Sequence, residues 1–337
     1  MTGPTPGSLA PPAPPPGPVR RWVLGARPRT LAAAAVPVVV GTAVGWWLRS
    51  PRAHGAGPTV VGASWWFLST PVQGPERVIW WRAAAALVVA LAVQVGTNYA
   101  NDHSDGIRGT DTRRVGPLRL VASELASPAS VKRAALLSFG VAAVAGVLLA
   151  AVTSWWLVPV GAACFAAGWL YTGGPKPYGY LGLGELFVFL FFGVVATAGS
   201  SYVQVPHLWF GASYARWLPL VASIPVGLLA TALLEANNLR DIAGDVASGK
   251  RTLAVRLGRR RAGWLYLALL AGAALGIVLV GVVRPWAFLA LLAVPLAVGP
   301  VRTVLGGAEG RDLLPVLGAT GRLQLAAGIL LAAGILL

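Results

Sequence analysis

Cysteine, lysine and acidic residues are scarce in this chain, and each shortage excludes something. Its one cysteine, Cys164, allows no intramolecular disulfide and lies within an apolar run, where it reads as a small buried apolar side chain. Charged residues make up 11% of the 337 positions, against about 25% in ordinary soluble domains, which excludes a water-soluble globular protein. A transmembrane β-barrel is excluded as well, because the apolar residues run continuously instead of alternating. What remains is 56% hydrophobic with a mean hydropathy of +0.69. Several stretches approach or exceed the roughly 20 residues that carry a helix across a bilayer. The expected fold class is therefore all-α: a multi-pass membrane protein with nine transmembrane helices.

The predicted spans are 30–48, 80–100, 131–151, 155–172, 183–203, 217–238, 262–282, 285–304 and 320–337. Two of the boundaries rest on short breaks, Thr153-Ser154 and Arg284-Pro285. Residues 1–19 are rich in proline with no apolar signal core, and are expected to form a disordered tail ahead of a transmembrane domain at 20–337. The segment "RRWVLGARPRTL" that follows is basic and aromatic and suits the inner membrane interface. The Trp-rich stretch 49–80 has no functional reading.

A net charge of +16 raises the question of nucleic acid, but the basic residues sit in short loops between apolar spans, where topology accounts for them. With the N-terminus inside, the outer side keeps only Arg49, Arg52, Arg77, Arg82, Arg216 and Arg284 of the 27 basic residues. The doublets Trp46-Trp47, Trp80-Trp81 and Trp155-Trp156 fall at the outer ends of spans, where amphipathic rings favour the headgroup level. Abundant Ala, Gly and Arg fit a high-GC bacterial genome. The expected location is a bacterial inner (plasma) membrane, with the N-terminus and the acid-bearing loops cytoplasmic.

Only 11 acidic residues are present, and six of them gather at two span ends on the inner side: Asp102, Asp105 and Asp111 after the second span, and Glu235, Asp241 and Asp245 at the end of the sixth. Asn98, Asn101, Asp102 and Asp105 are spaced i, i+3, i+4, i+7 and would form one polar stripe on a helix, which Gly106 and Gly109 then release. Asn237, Asp241 and Asp245 share a face in the same way. Clustered carboxylates at membrane depth repel one another unless a cation sits among them. Arg108 and Arg240 neutralise part of each cluster. The remaining oxygens suit a hard divalent ion, Mg²⁺ first and Mn²⁺ as the alternative, held by a few carboxylates together with water and substrate phosphate. A diphosphate substrate is thereby implied.

The loop "YTGGPKPYGYLGLGE" joins the same side and carries Lys176, a point charge for phosphate, with Tyr171, Tyr178 and Tyr180. Glu185 and Tyr178 are candidates for an aromatic acceptor, while His103 reads as an exposed turn histidine.

These motifs resemble those of the UbiA-type intramembrane prenyltransferases, a family of nine-helix enzymes with two Asp-rich motifs on the cytoplasmic side. Asn101, Asp102, Asp105 and Asp111 match the first motif, with a longer gap before Asp111 than in many members, and Asp241 and Asp245 match the second. Within the family the chain is most similar to the 1,4-dihydroxy-2-naphthoate polyprenyltransferases of menaquinone biosynthesis. The strings that carry this are "ARPRTL", "QVGTNYANDHSDGIRGTD", "GPLRLVAS", "YTGGPKPYGYLGLGE" and "NNLRDIAGDVASGKRTLAVRLG".

The resemblance implies transfer of a polyprenyl group from its diphosphate to the naphthoate ring, with loss of carbon dioxide, giving demethylmenaquinone. Asp102, Asp105, Asp241 and Asp245, with Asp111, would hold Mg²⁺, and Lys176 would assist. Asn98, Asn101, Asn237, Asn238, Arg108, Arg240, Lys250, Arg251, Tyr171, Tyr178 and Glu185 would bind diphosphate or acceptor. The partners expected are the two substrates and the lipid bilayer, and no nucleic acid. The same chemistry on 4-hydroxybenzoate or a homogentisate is the nearest alternative. A cation-coupled transporter is a more distant one, which would place acids near the bilayer midplane instead of at helix ends.

Overall fold

The computed structural model describes residues 16–50, 78–110, 116, 118–206 and 217–337. Asp111, most of the proline-rich tail and most of the Trp-rich stretch lie outside the described residues. We number the helices α1 (Pro18–Gly25), α2 (Leu31–Arg49), α3 (Trp80–Ile107), α4 (Pro128–Val152), α5 (Leu157–Leu170), α6 (Gly184–Gln204), α7 (Leu218–Ala247), α8 (Leu253–Val283), α9 (Pro285–Leu305) and α10 (Leu314–Leu336). No strand occurs among the described residues.

Eight helical segments among the described residues are long and apolar enough to cross a membrane. The further apolar helix α5 has 14 residues, which gives it about 21 Å of length against a hydrocarbon core of about 30 Å. Both predicted breaks are present: α4 ends at Val152 before α5 begins at Leu157, and α8 ends at Val283 before α9 begins at Pro285. The first helix begins at Pro18, inside the segment expected to be a disordered tail, and its Trp22 packs edge-on against Tyr99 of α3. The seventh span also starts earlier than predicted. Leu253 opens a helical turn N-capped by Thr252, and the chain breaks at Gly258, whose φ of 73° is non-helical, before the long run resumes.

Lipid is as apolar as the side chains, so close backbone approach does much of the packing. Helix α7 is central and touches α2, α6, α8 and α10. It meets α6 where Gly193 faces Gly227; a Cβ on Gly193 would stand 2.6 Å from the Gly227 Cα. Residues 189–195 of α6 wind as a π-helix here, an irregularity often found at functional sites. Helix α2 lies as closely on α6: a Cβ on Gly41 would be 2.2 Å from the Thr197 carbonyl oxygen. Because that obstacle is backbone, Gly41→Leu is expected to cost about 3 kcal/mol, the upper end of ordinary overpacking. Detergent-solubilised protein should show this as a lower unfolding midpoint.

Helices α3, α4 and α5 form one side of the bundle and α7 to α10 the other, with α2 and α6 between them. A cavity of about 510 Å³ runs between the two sides, and the acid-bearing ends of α3 and α7 meet at one end of it.

Candidate active site

At that end the long apolar helices run on into polar sequence, and the polar side chains turn toward each other. Asp105, 1% exposed, is the focus. Its Oδ1 accepts a hydrogen bond from the Tyr180 hydroxyl at 2.5 Å and stands 3.2 Å from the Lys250 ammonium; Oδ2 lies 3.7 Å from the Arg119 guanidinium. Lys250 also sits 4.7 Å from the centre of the Tyr180 ring, and Arg108 flanks the same ring at 5.6 Å. Burial, reinforced by the neighbouring Asp105 carboxylate, pushes the Tyr180 hydroxyl well above the usual tyrosine range. It therefore stays a hydrogen-bond donor at neutral pH.

Lys250 arrives by a local device. After α7 ends, Gly249 takes a left-handed φ of 73° and the Lys250 amide donates to the Asp245 carbonyl at 2.8 Å. This reversal tucks the side chain back under the helix end. Arg251, next in sequence, is exposed; its amide ties to the Tyr180 carbonyl at 3.0 Å. The Thr252 hydroxyl reaches Asp245 Oδ2 at 3.4 Å.

The α3 stripe divides. Asn98, Asn101 and Asp105 line the cavity, whereas the described lining does not include Asp102. Asp102 accepts from the backbone N–H groups of Leu120 (2.7 Å) and Val121 (3.2 Å) and so fixes the turn that positions Arg119. Asn98 donates to the Ala26 carbonyl and the Thr30 hydroxyl, which holds the α1–α2 junction against α3. Asn101 accepts from the Thr172 hydroxyl at 2.8 Å, and Arg108 donates to the carbonyls of Thr172 and Gly174, anchoring the loop after α5.

On α7, Asn237, Asn238, Arg240 and Asp245 line the cavity. Asp241 instead forms a two-bond pair with Arg240, both contacts at 2.7 Å. The Arg240 Nη1 is buried with no hydrogen-bond partner among the described residues, which leaves a donor for an anion in the cavity. Asn238 donates to Glu185 Oε1 at 2.7 Å, and behind them lies the buried carboxyl of Glu235.

Tyr171 and Tyr178 line the cavity as an edge-on pair at 5.4 Å, Tyr178 stacks on Phe187 at 4.1 Å, and its hydroxyl donates to the Ala167 carbonyl. Burial raises the Tyr178 hydroxyl above the usual tyrosine range, so it too remains neutral. Lys176 is exposed and is not part of the described lining. Among the described residues the lysine that meets an aspartate is Lys250.

Sequence reasoning did not single out Arg119, Thr172, Tyr180 or Thr252 as site residues. Their only signal was position in polar loops on the acid side; for Thr172 and Tyr180, pairing across more than 70 residues supplies the rest.

Among the described residues no three acidic, histidine or cysteine side chains form a ready-made metal cage. The donor set still fits Mg²⁺, which binds through one or two carboxylates and completes its shell with water and phosphate oxygens. Asp105 and Asp245 are both in the wall, with the carboxamides of Asn101 and Asn237 beside them.

Comparison with known proteins identifies the family. The UbiA prenyltransferase family matches residues 56–307. A 1,4-dihydroxy-2-naphthoate octaprenyltransferase of Mycobacterium tuberculosis is 46% identical over 301 residues, covering 89% of this chain and 91% of the relative. The Escherichia coli protein of the same name is 34% identical over 326 residues, covering 94% and 95%. Among solved structures, a UbiA homologue from Archaeoglobus fulgidus bound to DMAPP and Mg²⁺ superposes with a TM-score of 0.54 at 15% identity, over 93% of this chain and 99% of that one. This chain is thus an integral membrane protein belonging to the UbiA prenyltransferase family.

Proposed function

We propose that this protein transfers a polyprenyl group from polyprenyl diphosphate to 1,4-dihydroxy-2-naphthoate, with loss of carbon dioxide, giving demethylmenaquinone. One observation carries the reading: an apolar cavity ends in carboxylates, carboxamides and buried cations, as a substrate with a greasy tail and a diphosphate head requires. The names borne by the mycobacterial and enterobacterial relatives support the acceptor.

Asp105 and Asp245 would hold Mg²⁺, or Mn²⁺ in its place, with Asn101 and Asn237 orienting the diphosphate beside them. Bound there, the ion neutralises diphosphate charge and so favours departure of the leaving group. Arg240 offers its unpartnered Nη1 to the diphosphate, and Lys250 adds a second fixed charge where negative charge develops. Tyr180 and Arg119 keep the Asp105 carboxylate aimed. Tyr171, Tyr178 and Phe187 give the acceptor ring an aromatic wall, and Asn238, braced by Glu185, gives it a polar contact. The apolar wall excludes water from the allylic cation. The acids stand at helix ends on one side, which favours this reading over a transporter. Basic-loop asymmetry supports a cytoplasmic position for that side in a bacterial plasma membrane.

The test is turnover of the purified protein in lipid with a polyprenyl diphosphate and either 1,4-dihydroxy-2-naphthoate or 4-hydroxybenzoate. Prenylated naphthoquinol is expected, with loss of activity in EDTA and recovery on adding Mg²⁺. Product from 4-hydroxybenzoate alone overturns the acceptor, and turnover undiminished by EDTA overturns the metal.

A further inference from the structure

Asp105 carries two cations already. The buried Lys250 ammonium stands 3.2 Å from its Oδ1, the oxygen that also accepts from the Tyr180 hydroxyl, and the Arg119 guanidinium reaches Oδ2 at 3.7 Å. A divalent ion on this carboxylate would be the third cation it serves.

The rest of the wall offers no relief. Among the described residues, the charged side chains that line the cavity are the cations Arg27, Arg119, Arg240 and Lys250 and the carboxylates Asp105 and Asp245. Two more aspartates stand behind the wall. Asp241 is held in its two-bond pair with Arg240, and Asp102, which feels the Arg27 charge, is turned onto the Leu120 and Val121 amides. Glu185 and Glu235 lie beyond Asn238, off the wall. Four cations thus meet four aspartates, and these charges balance. A divalent ion by itself adds two positive charges that nothing in the wall offsets, and like charges repel strongly where water is excluded. A diphosphate arriving with it supplies the missing negative charge.

Lys250 is the cation best able to give way. Its main chain is pinned on both sides, by its own amide on the Asp245 carbonyl at 2.8 Å and by the Arg251 amide on the Tyr180 carbonyl at 3.0 Å. Its side chain is a point charge on a flexible four-carbon stem, unlike the planar fork of an arginine. The ammonium also lines the cavity, so a turn of the stem alone can carry it from Asp105 to an anion.

We propose that Lys250 is the metal's rival for Asp105: its ammonium holds the carboxylate until a diphosphate draws it aside, so the protein takes up a divalent ion together with a diphosphate and not before it. The inference rests on the prenyl-transfer reading and deepens it. Two ligands linked in this way raise each other's affinity by the same factor, typically about 5- to 150-fold.

The experiment measures protein-bound Mn²⁺ by electron paramagnetic resonance on protein in lipid nanodiscs, with and without the unreactive analogue geranyl S-thiolodiphosphate, for the parent, Lys250→Met and Lys250→Arg. Empty discs and analogue without protein set the background. The parent is expected to bind Mn²⁺ at least about tenfold more tightly with the analogue than alone. Lys250→Met keeps a long stem without its charge and should bind Mn²⁺ alone at least about tenfold more tightly than the parent, whereas Lys250→Arg should stay near the parent. Adding Asp105→Asn to Lys250→Met should abolish that gain. A parent that binds Mn²⁺ equally well with and without the analogue overturns the proposal, and this comparison needs no variant to fold. Lys250→Met with unchanged or weaker binding of Mn²⁺ alone, at a parental unfolding midpoint, overturns it too. Failure of the parent to bind the analogue at any Mn²⁺ concentration would instead refute the underlying prenyl-transfer reading.

Discussion

Asp105→Ala is expected to lower prenyl transfer by on the order of 10³-fold or more, the equivalent of several kcal/mol of lost charge stabilisation. Three partners converge on this carboxylate, the Tyr180 hydroxyl, the Lys250 ammonium and the Arg119 guanidinium, and it faces the cavity. On the proposed reading its removal would delete a metal ligand and release two buried cations toward the site reserved for one. Excess Mg²⁺ should not fully restore the rate, since the ion would then meet the uncompensated Lys250 and Arg119 charges in place of a carboxylate. Asp102→Ala gives the contrasting result. Asp102 holds the Leu120 and Val121 amides, and leaving such buried N–H groups without a partner costs about 1–3 kcal/mol. That variant should therefore show a lowered unfolding midpoint with its activity loss, while Asp105→Ala loses activity far out of proportion to stability. Initial rates and unfolding midpoints on the same preparations decide the matter. Equal losses of activity and stability in both variants would reject the division of labour between the two aspartates.

That division also marks the limit of what the sequence could tell. The bundle was legible because long apolar runs have one solution in lipid, and the breaks at Thr153-Ser154 and Arg284-Pro285 fall between helices as expected. The polar stripe on α3 was legible as a periodicity. A stripe four residues wide nevertheless spans a broad arc, and which edge of it faces the cavity depends on what packs alongside. The turn at 118–121 takes Asp102, leaving Asn98, Asn101 and Asp105 to the cavity.

The two loop lysines illustrate the same limit. Lys176 and Lys250 look alike in composition, each a lone lysine among glycines on the acid side. Among the described residues, the left-handed turn at Gly249 and the Tyr180 ring bring Lys250 to an aspartate.

The second large effect is expected on stability, at the Arg240–Asp241 pair. Both side chains are almost fully buried, at 1% and 3% exposure, and they share two hydrogen bonds at 2.7 Å. Removing one member leaves the other's charge without its two-bond partner in a low-dielectric setting, which costs about 3–5 kcal/mol in comparable pairs. Asp241→Asn and Arg240→Met should each lower the unfolding midpoint strongly. The double variant should lose much less than the two singles together, because no charge is then stranded. A double-mutant cycle on unfolding in mixed detergent micelles reads this coupling directly, and additive losses would show that the pair contributes nothing as a pair. Activity separates the two residues where stability does not. Arg240→Met removes the guanidinium whose spare donor would, on the proposed reading, meet the diphosphate, so its rate should fall even at temperatures where the protein stays folded, and a rise in KM for the prenyl diphosphate should accompany the fall. Pairing Arg240 with Asp241 thus accomplishes two things at once: it makes a buried cation tolerable in the bundle, and it holds that cation's Nη1 at the cavity wall, where on the proposed reading the leaving group's charge would appear.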